Sequence, residues 1–225
     1  MNINKTSVKL ARSAKIAMAS LLLSILVGLI FLIDTTPVLA HHPSGGEIPS
    51  TFLAGFLSGL GHPVIGIDHL VFTIAVGLLA ALSKRLGIII PAAFVVATAI
   101  GTAIHLQSID LPIVELIISA SILMAGIFLA RRKPSSLALL TVTSTIAGIF
   151  HGYAYGESIV GAETTALGAY LLGFCIIQLA IGIAAYYIGK KASGNSATPN
   201  TLPIRFAGFA ICGIGFSFLS GAILG

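Results

Sequence analysis

Residues 62–69 place three potential metal ligands within one short stretch of an otherwise apolar sequence. The stretch reads His-Pro-Val-Ile-Gly-Ile-Asp-His and contributes His62, Asp68 and His69. Two imidazoles and one carboxylate form a ligand set that suits nickel, cobalt, copper or zinc, whereas calcium and magnesium require more oxygen ligands. A structural interpretation is also open, in which Asp68 and His69 form a hydrogen-bonded pair that fixes a break in the helix.

A second polar group lies at residues 150–157, which read Phe-His-Gly-Tyr-Ala-Tyr-Gly-Glu and contribute His151 and Glu157. A lone histidine in an apolar helix is often a hydrogen-bonded core residue. His151, however, is expected at the same membrane depth as the first group, which favours one shared metal site made by both. The spacing of Gly152 and Gly156, like that of Gly55 and Gly59, is typical of close helix contact.

Three other histidines are weaker metal-ligand candidates. His105 ends an apolar run beside Gln107 and Asp110, where it either completes the site or lies at the water interface. His41 and His42 would open the mature chain if a leader were cleaved after residue 40. They would then either capture a divalent metal together with the free amine or belong to an exposed linker.

The elements that position these residues must be membrane-spanning helices. Hydrophobic residues make up 56% of the 225-residue chain and charged ones 8%, with a mean hydropathy of +1.06, which excludes an ordinary soluble domain. The basic residues occur in twos and threes between apolar runs, without interleaved aromatic residues, so the expected partner is a lipid bilayer and not nucleic acid. Open strands cannot satisfy their backbone in lipid, so an all-α fold is predicted.

Six apolar runs are long enough for helices that cross a hydrocarbon layer of about 30 Å. They are residues 63–83, 86–105, 112–130, 135–155, 164–189 and 204–224. Residues 51–61 are apolar but too few to cross, so they predict a half-helix or re-entrant segment that breaks at Gly61, His62 and Pro63. Residues 51–225 are therefore predicted to form a six-helix transmembrane domain.

The first forty residues have the layout of a secretory signal peptide, with basic residues, an apolar stretch and small residues before a cleavage point after Ala40. The apolar stretch is long, so an uncleaved anchor helix is the alternative. Residues 41–50 would form an exported N-terminal segment.

The charges predict the topology. The basic clusters fall in alternate loops, which places them in the cytoplasm and both mature termini outside, in a multi-pass protein of the bacterial inner membrane. The carboxylates then gather towards the outer face. The inner half of the spans contains almost no ionisable side chains, so hydroxyls are the candidate ion contacts there. These hydroxyls belong to Thr73, Thr98, Ser121 and Thr145.

The two motifs, HPVIGIDH followed by LVFTIAVGLLA and, further on, FHGYAYGE, resemble the signature segments of the HupE/UreJ family. Members of that family are nickel/cobalt permeases found with hydrogenase and urease accessory genes. The resemblance implies that His62, Asp68, His69, His151 and Glu157 handle a transported Ni²⁺ or Co²⁺, with no separate cofactor. It also implies a functional link to hydrogenase, urease or cobalamin metallocentre assembly. Tyr153 and Tyr155 stand where family members often carry further histidines.

The leading hypothesis is therefore a carrier or facilitator that imports nickel or cobalt, not an enzyme. No Walker A sequence is present, so the chain has no recognisable P-loop with which to power transport itself. One rival hypothesis is an intramembrane hydrolase in which the histidines hold zinc and activate water. Another is a metal-sensing or metallocentre-assembly subunit that does not transport.

Overall fold

The computed structural model describes residues 48–83, 86–194 and 200–224, and within these ranges every regular element is an α-helix. The predicted signal peptide, together with His41 and His42, lies outside the described residues. The seven helices are α1 (Phe52–Ile65), α2 (Ile67–Leu82), α3 (Ile89–Leu106), α4 (Val114–Ala130), α5 (Leu137–Glu157), α6 (Thr164–Ser193) and α7 (Leu202–Leu224). The all-α prediction is confirmed for this part of the chain.

Four of the described helices, α3, α5, α6 and α7, each have at least 18 residues and are apolar enough to cross a membrane. Helices α1 and α2 together make a fifth candidate span, a pair bent by 78°. Helix α4, which corresponds to the third predicted span, is apolar but has only 17 residues. The chain is thus a helical membrane protein whose described residues contain four candidate spans by length and composition, or five if the bent pair is one span.

The break between the first two helices lies at Gly66, and its predicted position at Gly61, His62 and Pro63 is wrong. Helix α1 continues through Pro63, which lies inside its last turn. At Gly66 the backbone becomes extended, with φ −70° and ψ 101°, and its N–H donates to the carbonyl of His62. Pro63 cannot donate the ladder hydrogen bond to the carbonyl of Gly59, which weakens the last turn of α1 just before the break at Gly66.

Glycines allow the helices to approach closely, as the GxxxG spacing predicts. The Cα of Gly59 in α1 faces the backbone carbonyl of Tyr170 in α6, and that of Gly152 in α5 faces the carbonyl of Thr98 in α3. A Cβ atom at either position would collide with backbone, which cannot move aside cheaply. Small residues at such contacts are what brings α1 against α6 and α3 against α5, and these are two of the most extensive helix pairs.

The C-terminal ends of α2, α4 and α6 meet at one end of the bundle. The Lys190 ammonium donates to the carbonyl of Ser83 at 3.0 Å, and the Arg205 guanidinium donates to that of Ala130 at 3.0 Å. A Cβ at Gly189 would touch both Ala81 and the side chain of Ile204, which joins the two contacts in one region. Cations at helix C-termini are favoured because unpaired carbonyls carry partial negative charge there.

Candidate metal centre

Three histidines from three helices converge inside the bundle. His62 lies in the last turn of α1, His69 in the first turn of α2, and His151 in the second half of α5. Their exposed fractions are 4%, 5% and 0%. The 78° bend at Gly66 brings His62 and His69 to the same region, with ring centroids 5.6 Å apart.

His69 and His151 are in direct contact, although 82 positions separate them in the sequence. Their Nδ1 atoms lie 2.8 Å apart, so one nitrogen donates a proton to the other. Ser121 Oγ donates to the carbonyl of Ile118 at 2.7 Å and lies 3.1 Å from His151 Nε2. Because the hydroxyl has one proton, His151 Nε2 is the donor to Ser121, and His69 Nδ1 then donates to His151 in the neutral pair.

Hydroxyl groups from two further segments orient His62. Its Nδ1 lies 2.9 Å from Ser158 Oγ and 3.0 Å from the Tyr170 hydroxyl. The Tyr170 hydroxyl also donates to the backbone carbonyl of Tyr155 at 2.9 Å. Tyr170 therefore connects α6 to the α5 segment that carries the second motif, and it fixes the plane of the His62 ring.

Asp68 supplies the nearest carboxylate. Its Oδ2 lies 3.9 Å from His69 Nε2, and 21% of its side chain is exposed. It is in the first turn of α2, where the helix dipole stabilises a negative charge. Asp68 thus connects the buried imidazoles to the end of the bundle opposite Lys190 and Arg205.

Aromatic rings enclose the imidazoles. The Tyr155 ring contacts both His62, at a centroid distance of 4.9 Å, and His69, at 4.5 Å. The Phe72 ring stacks on His151 at 4.5 Å. The Tyr155 hydroxyl is buried without a hydrogen-bond partner among the described residues. The three histidines consequently lie in an apolar enclosure with an unsatisfied hydroxyl close by.

Two other predicted ligands, Glu157 and His105, lie away from the cluster. Glu157 is exposed at the end of α5, six residues and about 9 Å of helix rise beyond His151. The His105 ring contacts Tyr153 at 4.4 Å, and its Nδ1 is buried without a described partner. Tyr153 lies about 200° around α5 from His151 by helical spacing, so His105 belongs to the opposite side of that helix.

The sequence interpretation missed four residues that surround the histidines. Tyr155 was recoverable, because it follows His151 by four residues and so shares its helix face. Tyr170 and Ser158 carry no such signal, since nothing in the sequence places them beside His62. Ser121 was considered only as a hydroxyl in the inner half of a span, not as a partner of His151.

Metal binding requires rearrangement of these side chains. Among the described residues, no three His, Cys, Asp or Glu side chains are already arranged to hold an ion. Two nitrogens bound at right angles to one ion, about 2.1 Å from it, would be about 3 Å apart. The 2.8 Å separation of the two Nδ1 atoms is close to that value. The rings must therefore turn so that both lone pairs face a common point, with little translation.

The fold and this cluster define a helical membrane protein with a buried histidine centre shared by two sequence motifs. The HupE / UreJ protein family profile matches residues 29–218. The chain is 30% identical over 171 residues to Protein HupE of Rhizobium leguminosarum bv. viciae, covering 74% of this chain and 85% of that protein. The chain therefore belongs to the HupE/UreJ family. No solved structure matches it.

Proposed function

We propose that this protein imports Ni²⁺ or Co²⁺ across the bacterial inner membrane, and that His69 and His151 bind the ion during transport. The observation that carries the proposal is the contact of the two Nδ1 atoms at 2.8 Å, made by the first and second sequence motifs. Imidazole nitrogens favour borderline ions over calcium and magnesium. Membership of the HupE/UreJ family supports a role in nickel or cobalt supply.

The proposed site has His69 and His151 at its centre, His62 beside them and Asp68 at its outer edge. An ion between the two Nδ1 atoms takes the place of their hydrogen bond. Asp68, whose Oδ2 lies 3.9 Å from His69 Nε2, would need a small approach to accept the Nε2–H of metal-bound His69, the usual role of an outer partner of a ligating histidine. Glu157 and the other outer carboxylates attract cations to the entrance, because a cluster of negative charges on a surface raises the local cation concentration.

The proposed orientation places the acidic end outside, both mature termini outside, and the end with Lys190 and Arg205 in the cytoplasm. It rests on the excess of basic residues in cytoplasmic loops. The membrane potential then favours import. When a divalent cation moves inward through about 100 mV its free energy falls by about 4.6 kcal/mol, at about 2.3 kcal/mol per charge. The imported metal would supply hydrogenase, urease or cobalamin metallocentre assembly.

We favour transport over hydrolysis because the imidazoles are enclosed by Tyr155, Phe72 and neighbouring rings. A zinc hydrolase needs an open coordination position with access for its substrate. In the proposed function the chain has no catalytic residue and no cofactor of its own, and the metal is its cargo.

The test is uptake of radioactive nickel and of cobalt into proteoliposomes that contain the purified protein. Wild-type protein should load the vesicles, and His69→Ala should reduce the rate at least tenfold while accumulating normally in the membrane. Tyr187→Phe, at an exposed position of α6, is the control. Wild-type vesicles that take up neither metal would reject transport, and normal uptake by His69→Ala would make the first motif structural.

A further inference from the structure

A small, partly open cavity lies next to the histidine cluster on the side of the basic end, between α2, α4 and α5, and the exposed Met124 is part of its lining. Its volume is about 20 Å³, enough for one water molecule. Phe72 and Ser121 line it at the cluster end, and Leu79, Phe128 and Thr143 line it towards the basic end. From Phe72 to Leu79 the helix rises about 10 Å, and only three residues of α2 remain beyond.

Two residues belong to both the cluster and the cavity. Ser121 Oγ lies 3.1 Å from His151 Nε2, and the Phe72 ring stacks on the His151 ring. Both side chains also line the cavity. Ser121 and Phe72 therefore lie between the imidazoles and the cavity. Ser121 presents a hydroxyl oxygen there, and Phe72 presents an apolar ring.

At two neighbouring helix interfaces the described backbones are in direct contact. Between α2 and α6, the Cα of Gly77 faces the carbonyl of Gly182 so closely that a Cβ would collide with it. Between α3 and α5, a Cβ at Gly148 would lie 2.8 Å from the carbonyl oxygen of Phe94. At these two points backbone contact leaves no room for an ion, whereas side chains line the space between α2, α4 and α5.

We propose that the transported ion leaves the histidine cluster through this cavity, first onto the Ser121 hydroxyl and then past Ser144. This inference rests on the proposed transport function. Ser144 is 2% exposed and lines the cavity at the level between Ser121 and Thr143. Hydroxyl and water oxygens hold a borderline ion less firmly than imidazoles do, which lets the ion move on. The Phe72 and Phe128 rings close the path when no ion is passing.

The adjacent position on α5 offers a matched control. Thr145 was expected from the sequence to be a candidate ion contact. It lies instead in a different groove, of about 340 Å³, together with Val96 and Ile100, which are exposed on the outside of the bundle. Ser144→Leu fills the proposed path, whereas Thr145→Leu adds the same side chain one residue later on another face. Neither residue belongs to the histidine cluster.

The experiment compares nickel uptake by proteoliposomes with equilibrium nickel binding in detergent. Ser144→Leu should slow uptake at least tenfold and leave the Kd within twofold of wild type, and Thr145→Leu should leave both unchanged. Normal uptake by Ser144→Leu, or equal loss in both variants, would overturn the path. Wild-type protein that transports no metal would instead contradict the proposed function.

A smaller substitution covers the case in which Ser144→Leu does not fold. Ser144→Cys and Thr145→Cys are made in a background with Cys175 and Cys212 replaced by alanine, and are treated with ethyl methanethiosulfonate during nickel transport. Modification of Ser144→Cys should reduce uptake at least tenfold, while modified Thr145→Cys should keep it. Failure of Ser144→Cys to react, or reaction without loss of uptake, would contradict the path.

Discussion

The backbone of Gly66 lies against the imidazole of His69, and a Cβ atom at residue 66 would be 2.7 Å from His69 Cδ2. The same atom would be 3.1 Å from a carboxylate oxygen of Asp68. The φ angle of −70° is open to any residue, so glycine is required here for space and not for backbone conformation. The position of the His69 ring thus depends on the absence of a side chain at residue 66.

Gly66→Ala should therefore displace His69 and weaken nickel binding about tenfold, because ligands held 1 Å out of place lose much of their preorganisation. Equilibrium dialysis against nickel measures the effect. Gly168→Ala is the control, since a Cβ at Gly168 meets nothing within 4 Å. Unchanged affinity in Gly66→Ala would show that the close contact has no role in the site.

Tyr170→Phe should lower nickel affinity by about 10-fold to 100-fold, the usual effect of losing a group that orients a ligand. The substitution removes the hydroxyl that lies 3.0 Å from His62 Nδ1 and retains the buried ring. Tyr187→Phe on the same helix, at a residue 66% exposed, should have no effect. Equal affinities of the Tyr170→Phe and Tyr187→Phe variants would remove His62 from the proposed site.

Asp68→Asn and Glu157→Gln should weaken nickel binding independently. Asp68 lies beside His69, whereas Glu157 is exposed about two turns of α5 beyond His151. Residues without shared partners give additive changes in binding free energy. A double variant that binds no more weakly than Asp68→Asn alone would instead place both carboxylates on one ion.

Cysteines introduced at Lys133 and at Lys191 should resist an impermeant thiol reagent in intact cells and react after permeabilisation. The reason is the clustering of basic residues at one end of the bundle, where Lys190 and Arg205 bind helix C-termini. A cysteine at Val160, exposed between α5 and α6, should react in intact cells. Labelling of the cysteine at position 133 in intact cells would show that this end of the bundle faces outside, contrary to the proposed orientation.

The sequence predicted the helices and the meeting of the two motifs for physical reasons that need no knowledge of packing. Apolar length determines where a helix can cross, and the basic loops place His69 and His151 at a common depth. The end of α1 was not predictable in this way. Pro63 is compatible with either the beginning of one helix or the last turn of another, and in the structure it lies in the last turn, with the backbone becoming extended at Gly66.

The residues that surround His62 also could not be predicted from the sequence. Tyr170 lies 108 positions away on α6, and it reaches His62 because α1 packs closely against α6 at Gly59. No periodicity within one helix reports which helix lies opposite. Tyr155, by contrast, shares a helix face with His151 and could have been assigned to the centre from its spacing alone.

In the proposed site, His69 and His151 bind the same transported ion. The most direct measurement is a double-mutant cycle of nickel binding with His69→Ala, His151→Ala and the double variant, each assayed as purified full-length protein. Shared coordination predicts that either single substitution removes most of the affinity and that the second adds little. Losses that add in full would show that the two histidines do not hold one ion, and would contradict this account.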